Sequence, residues 1–264
     1  MGLNGAGWAS FIARIFIASS LIFYILYQKK FKKYVQEFWR EKFNKETFRN
    51  LLSLGIPTGF QITFEVGAFV IAAIMAGWLG TNALAAHQIA INMAALAYMV
   101  SLGFASAATI RVGNQFGLKD FENLKNAGTS IYAVVGIFML VTATTFILGR
   151  HFFPTLYINN GEVIAIASQL LVIAAMFQLS DGYQVVGLGL LRGIQDVKFP
   201  TWLTFVAYWI IGLPVGYYLA FHANLGINGI WYGLLLGLTI VALILLIRFY
   251  KKAKDLSIER INQT

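Results

Sequence analysis

No cysteine occurs in the 264 residues, which excludes disulfides, thiolate metal centres, palmitoylation and thiol catalysis. Charge is scarce as well. Only 12% of residues are Asp, Glu, Lys or Arg, against 58% hydrophobic residues and a mean hydropathy of +0.70, whereas soluble domains carry about 25% charged residues. The solvent of this chain is therefore a bilayer. The three histidines, His87, His151 and His222, form no His-x-x-x-His or His-Glu-x-x-His pair, so His87 is a weak metal candidate and zinc-hydrolase signatures are missing. No nucleophile and base pair marks an enzyme. The opening segment has neither a basic n-region nor a convincing cleavage site, and Met1-Gly2 lacks the Ser or Thr that myristoylation expects four residues on.

What the chain does have is apolar length. Seven stretches predict membrane helices, at approximately 7–27, 51–78, 84–112, 128–149, 163–190, 200–221 and 227–248. The fold class is all-α, membrane-embedded. The net charge of +9 is explained by its placement rather than by nucleic acid. Lys29, Lys30, Lys32, Lys33, Arg40, Lys42, Lys45 and Arg49 lie between the first two spans; Arg111, Lys119 and Lys125 around the third connection; Arg192 and Lys198 at the fifth; Arg248, Lys251, Lys252 and Lys254 after the last. These are alternate connections, so the positive-inside rule predicts an external N-terminus and a cytoplasmic C-terminus.

The beginning and end of the chain resemble one another. Gly2, Asn4, Gly5, Ala18, Leu21 and Lys30 meet Gly226, Asn228, Gly229, Ala242, Leu245 and Lys254 at one fixed offset. Such self-similarity between a first and a last membrane helix marks a duplicated transporter. It predicts the last helix of one repeat (1–33), a connector (34–50) and one whole repeat with its tail (51–264), with the remaining helices absent or supplied by another chain. In the connector, Val35, Phe38, Trp39 and Phe43 recur at helical spacing among charges, which predicts an amphipathic helix on the cytoplasmic surface; a solvated charged loop is the other reading.

Two carboxylates lie inside the spans. Ionised groups at membrane depth persist mainly where they face a cavity or a partner. Glu65 shares a helix face with Gln61 and Phe69, and Asp181 shares one with Phe177, Gln178 and Gln184. The pair reads as a cation path, the alternative being structural acids satisfied by hydrogen bonds. Gln88 and Asn92 share a face that either lines the cavity or bonds to another helix. Five Gly-x-x-x-Gly spacings, starting at Gly55, Gly113, Gly189, Gly212 and Gly233, predict packing surfaces. Pro57 and Pro214 should kink their helices, and Pro200 opens one.

Taken together, Gly55-Ile-Pro-Thr-Gly59 leading to Glu65, Leu84-Ala-Ala-His-Gln-Ile-Ala-Ile-Asn92, Gly187-Leu-Gly-Leu-Leu-Arg-Gly193 followed by Asp196 and Pro200, and Leu225-Gly-Ile-Asn-Gly229 resemble the multidrug and toxic compound extrusion (MATE) family, its bacterial NorM and DinF-like branch in particular. The resemblance covers the family's sixth to twelfth helices. It implies seven transmembrane helices, the last of one six-helix lobe followed by a complete second lobe, in a multi-pass bacterial inner-membrane protein. It also implies an antiporter that exports organic cations in exchange for Na+ or H+, with no cofactor and with a missing first lobe as partner. Glu65 and Asp181 then contribute to the coupling-ion site, the only place for a metal ion being Na+ there, and Phe69 can stack on the cation. Phe177 stands where sodium-coupled members place a tyrosine, which leaves open the choice between Na+ and H+. A non-transporting fragment and a lipid-linked oligosaccharide flippase of related architecture are the alternatives.

Overall fold

The computed structural model of the protein describes residues 2–32, 35, 37 and 44–261. Among these residues the chain is helical throughout, with no strand, and seven helices are long and apolar enough to cross a membrane. The expected amphipathic connector at 34–50 falls for the most part, including Phe38, Trp39 and Phe43, outside the described residues. The chain divides into two compact units, residues 1–51 and 52–264.

In the first unit, α1 (Gly2–Tyr27) is followed by a short 3-10 turn at Lys29–Phe31. The helix carries no acidic residue in its first turn and no basic residue in its last. From Gly7 to Tyr27 it is apolar enough and long enough to cross a membrane.

The second unit holds the other six spans. They are α2 (Lys45–Trp78, which begins in the first unit), α3 (Thr81–Gly117), α4 (Phe121–Gly149), α5 (Gly161–Gly193), a composite span from Lys198 to Phe221, and α8 (Ile227–Ile261). Side chains set several of the helix starts. Asn44 Oδ1 accepts from the backbone N–H of Glu46 and Thr47, Asp120 from Asn123, and Asn160 from Glu162 and Val163, each satisfying donors that the first turn leaves free. Between α2 and α3 the chain reverses over Leu79 and Gly80, and the φ of 114° at Gly80 is closed to residues with a Cβ.

α5 is the most deeply buried span and packs against α3, α4 and α8. Its glycines allow this. A Cβ at Gly189 would lie 2.5 Å from the carbonyl oxygen of Ala105, and one at Gly193 would lie 3.0 Å from that of Thr109. In the space so gained, Thr109 Oγ1 donates to Gly189 O at 2.8 Å. A second glycine seam joins the end of the composite span to α8, where a Cβ at Gly233 would fall 2.4 Å from both Gly212 O and Gly216 Cα. The predicted packing role thus fits Gly189, Gly193, Gly212, Gly216, Gly233 and Gly237. Gly113 approaches Gly193 less closely, at 3.5 Å, whereas Gly55, Gly59 and Gly117 face open space. Their spacing is the same, but no described residue would come within 4 Å of a Cβ at any of the three.

The composite span consists of α6 (Lys198–Phe205), a π-helical turn over Val206–Gly212 and α7 (Leu213–Phe221). Pro214 explains the wide turn: it has no N–H to donate, and its ring collides with the carbonyl one turn back, so the helix widens ahead of it. The widening carries Tyr208 and Trp209 in succession toward neighbouring spans. Trp209 Nε1 donates to Phe64 O on α2 at 2.9 Å, while Tyr208 is fully buried against α5. Pro57, in contrast, lies within an unbroken α2. Just past the C-terminal end of α5, Asp196 Oδ2 pairs with Arg248 Nε of α8 at 2.7 Å, and the Arg248 guanidinium sits 3.8 Å from the centre of the Phe199 ring.

Candidate functional site

α2 buries a single narrow stripe, Gln61, Glu65, Ala68, Ala72, Met75 and Ala76, and leaves Ile62, Val66, Val70 and Ile74 exposed. The spacing of three and four turns Glu65, the carboxylate in the apolar part of the helix, inward. From α5, Asp181 comes to the same place, and the two acids border one cleft of about 200 Å³. Phe69, Tyr98 and Phe177 line it too, and no basic side chain among the described residues does. Phe69 and Phe177 meet edge to face, their centroids 6.0 Å apart.

The acids are held differently. Gln184 Nε2 donates to Glu65 Oε1 at 3.0 Å, and Gln61 Nε2 donates to Glu65 Oε2 at 3.3 Å. Tyr208, brought in by the π turn, donates its hydroxyl to Gln184 Oε1 at 2.9 Å. The relay Tyr208, Gln184, Glu65, Gln61 thus ties three spans together and fixes both oxygens of Glu65. Asp181, 4% exposed, accepts no hydrogen bond from the described residues. Its oxygens are left for whatever enters the cleft.

Of the residues singled out in the sequence, the structure brings Gln61, Glu65, Phe69, Phe177, Asp181 and Gln184 together, though Gln184 serves Glu65 rather than the acid on its own helix. Gln178 is buried, with neither amide atom partnered among the described residues, and does not line the cleft. Gln88 and Asn92 lie on the exposed side of α3, where Asn92 Nδ2 bonds back to Gln88 O at 2.8 Å. The α3 wall is made instead by Ile91, Ala94, Ala95 and Tyr98, one helix position round. Tyr98 was not foreseen. The signal was the Ala94-Ala95 pair, whose small side chains leave room beside a residue one turn on. His87 is a packed core residue: buried, with Nδ1 accepting from Trp231 Nε1 at 3.2 Å. No cluster of three or more metal-ligating side chains occurs among the described residues.

A bundle of lipid-length helices that keeps two acids in an aromatic cleft, one of them without a donor, is the lobe of a membrane transporter. The comparisons with known proteins agree. The MatE family model matches residues 57–218, more than half of the chain, and the chain belongs to this family of multi-pass multidrug efflux transporters. It is 39% identical over 256 residues to the probable multidrug resistance protein NorM of Agrobacterium fabrum, covering 94% of this chain and 55% of that protein. Against the probable multidrug resistance protein NorM of Acinetobacter baylyi, identity is 36%, with 97% of this chain and 57% of the relative covered. Two crystal structures share the fold, a MATE in the straight conformation (TM-score 0.83, 18% identity, 97% of this chain and 57% of that one) and a MATE in the bent conformation (0.81, 19%, 100% and 58%). The chain spans about half the length of the curated relatives it matches.

Proposed function

We propose that this chain is the C-terminal portion of an antiporter that exports organic cations in exchange for Na+ or H+, and that Glu65 and Asp181 form the site for which cargo and coupling ion compete. The observation that carries the reading is the single cleft bordered by two carboxylates and no basic residue. In a low-dielectric recess two acids favour a cation strongly, and the faces of Phe69, Phe177 and Tyr98 add cation–π attraction and apolar contact for an amphipathic cargo. Glu65 is the fixed pole, held on both oxygens. Asp181, without a donor, is the group that takes a proton, or shares a sodium ion with Glu65 and the Tyr98 hydroxyl. A proton or Na+ at this place removes the attraction for the organic cation, so one gradient drives the other if the two halves of the whole transporter expose the cleft alternately. Among the described residues no basic side chain lines the cleft, which favours an organic cation over a pyrophosphate-bearing lipid as cargo.

The test is efflux of a fluorescent cation from vesicles containing the full-length transporter. Glu65→Gln and Asp181→Asn, each expressed to the level of the unaltered protein, should abolish ion-driven efflux. Unchanged efflux in both variants would overturn the carboxylate mechanism.

A further inference from the structure

A second cleft, of about 650 Å³, lies far along α5 from the carboxylates. Arg150, His151, Gln169 and Asn228 stand at its polar end, and Ala165 and Val172 form part of its apolar wall. Further down the same two helices, α5 and α8, there is another of about 310 Å³, bordered by Leu179, Tyr183, Thr239 and Leu246. Helical periodicity makes these one groove. On α5, Ala165, Val172, Leu179 and Tyr183 follow one another at spacings of four and seven, and on α8, Asn228, Tyr232, Thr239 and Leu246 do the same. From Ala165 to Tyr183 the groove runs for about 27 Å at 1.5 Å per residue, close to the roughly 30 Å of a bilayer's hydrocarbon core. The step between its two parts is formed by the exposed Met176, a side chain that adapts readily to a neighbour's shape.

The chemistry of the polar end is one-sided. Arg150 donates Nε–H to His151 Nε2 at 3.1 Å and meets no carboxylate among the described residues, so its two terminal nitrogens are unspent. The nearest acid in sequence to the cleft-lining Gly161 is Glu162, which accepts from Asn82 Nδ2 at 2.6 Å and does not line the cleft. Asn228 Nδ2 donates to Gln169 Oε1 at 3.3 Å, while Asn228 Oδ1 is buried without a partner. A guanidinium with free donors and the Asn228–Gln169 amide pair therefore line the same cleft. Both sit at one end of an apolar groove of membrane length.

We propose that the α5–α8 groove binds an anionic glycerophospholipid, with its phosphate at Arg150 and an acyl chain laid along Val172 and Leu179. The phosphate and guanidinium supply the charge complementarity. Lipid is the fitting occupant because of the direction in which the groove opens. Val172, Leu179 and Tyr183 are displaced by about half a turn from Phe177 and Asp181 on the same helix, as two positions at 100° per residue require. The groove thus backs onto the carboxylate cleft, away from the side on which a second lobe would have to close over the cargo. The proposal does not depend on the identity of the coupling ion.

The experiment is native mass spectrometry of the purified full-length transporter, stripped of lipid in detergent and titrated with phosphatidylglycerol or with phosphatidylcholine. Retention of the anionic lipid should be about fivefold stronger, the effect of one basic residue on an anionic lipid. Arg150→Gln should bring it down to the level of phosphatidylcholine, and Val172→Trp, which fills the groove, should lower retention of both. Equal affinity for the two lipids, or undiminished phosphatidylglycerol retention in both variants, would overturn the site. Displacement of bound phosphatidylglycerol by millimolar inorganic phosphate would show an anion site in place of a lipid site, and would overturn it too. Efflux need not be measured, so failure here is separable from failure of the transport reading.

Discussion

Removing Tyr208 or Gln184 tests the relay that holds Glu65. Tyr208 is fully buried, as is Gln184, and they share a bond of 2.9 Å. Tyr208→Phe strands Gln184 Oε1, and Gln184→Leu strands both the Tyr208 hydroxyl and Glu65 Oε1. In water-soluble proteins each stranded group costs about 1 to 3 kcal/mol. Interhelical hydrogen bonds in bilayers average only about 0.6 kcal/mol and reach about 1.7, because the unfolded chain in the membrane also finds partners. The upper part of that range applies here, since neither residue reaches lipid or water when its partner is removed. The double variant, which removes both ends of the bond, should therefore be more stable than the sum of the single effects by about 1 to 1.7 kcal/mol. Reversible unfolding in mixed micelles, on single and double variants of the purified protein, measures this coupling. Additivity to within about 0.3 kcal/mol would show that the bond does not exist and that the π turn at Val206–Gly212 has no role in fixing Glu65. Efflux gives a second readout: Gln184→Leu should impair ion-driven export more than Tyr208→Phe, because only Gln184 touches the carboxylate.

The glycine seam offers a contrast between identical substitutions. Gly233→Ala would set a Cβ 2.4 Å from backbone atoms of α7 and its π turn, and should cost about 1 to 3 kcal/mol, whereas Gly103→Ala meets nothing within 4 Å and should be neutral or slightly stabilising; equal melting temperatures for the two variants would refute the close approach. Orientation can be read with single cysteines in this cysteine-free chain: one at Ala223 should react with an impermeant thiol reagent from outside intact cells and one at Gln36 should not, and the reverse pattern would invert the charge-based topology. These 264 residues, reconstituted by themselves, should not exchange cations across a membrane, and export should need the remaining half of the transporter in cis or in trans; gradient-driven movement by the purified chain alone would count against a cleft that works between two halves.

The membrane, the seven spans and the two acids were legible in the sequence, because each follows from a local property. An apolar run of sufficient length crosses a bilayer whatever its neighbours, and a carboxylate within such a run needs a polar place to go. Spacing alone also put Gln61 and Phe69 on the face of Glu65, since contacts within one helix repeat every three to four residues. Contacts between helices depend on rotation and register, which no single segment encodes. Hence Gln184 was read as a companion of Asp181 and is a ligand of Glu65. For the same reason the shared face of Gln88 and Asn92 reads from sequence either as cavity lining or as an interhelical contact, and only packing puts the small-residue face beside them, with Tyr98, in the cleft. The glycine spacings make the point most simply: Gly55-x-x-x-Gly59 and Gly233-x-x-x-Gly237 are the same word, and only the second has another helix against it. Sequence determined which helices exist and which of their groups are costly in lipid. Tertiary packing decided which of those groups meet, because a rotation of one residue's worth about a helix axis moves a side chain by 100° and changes its partner.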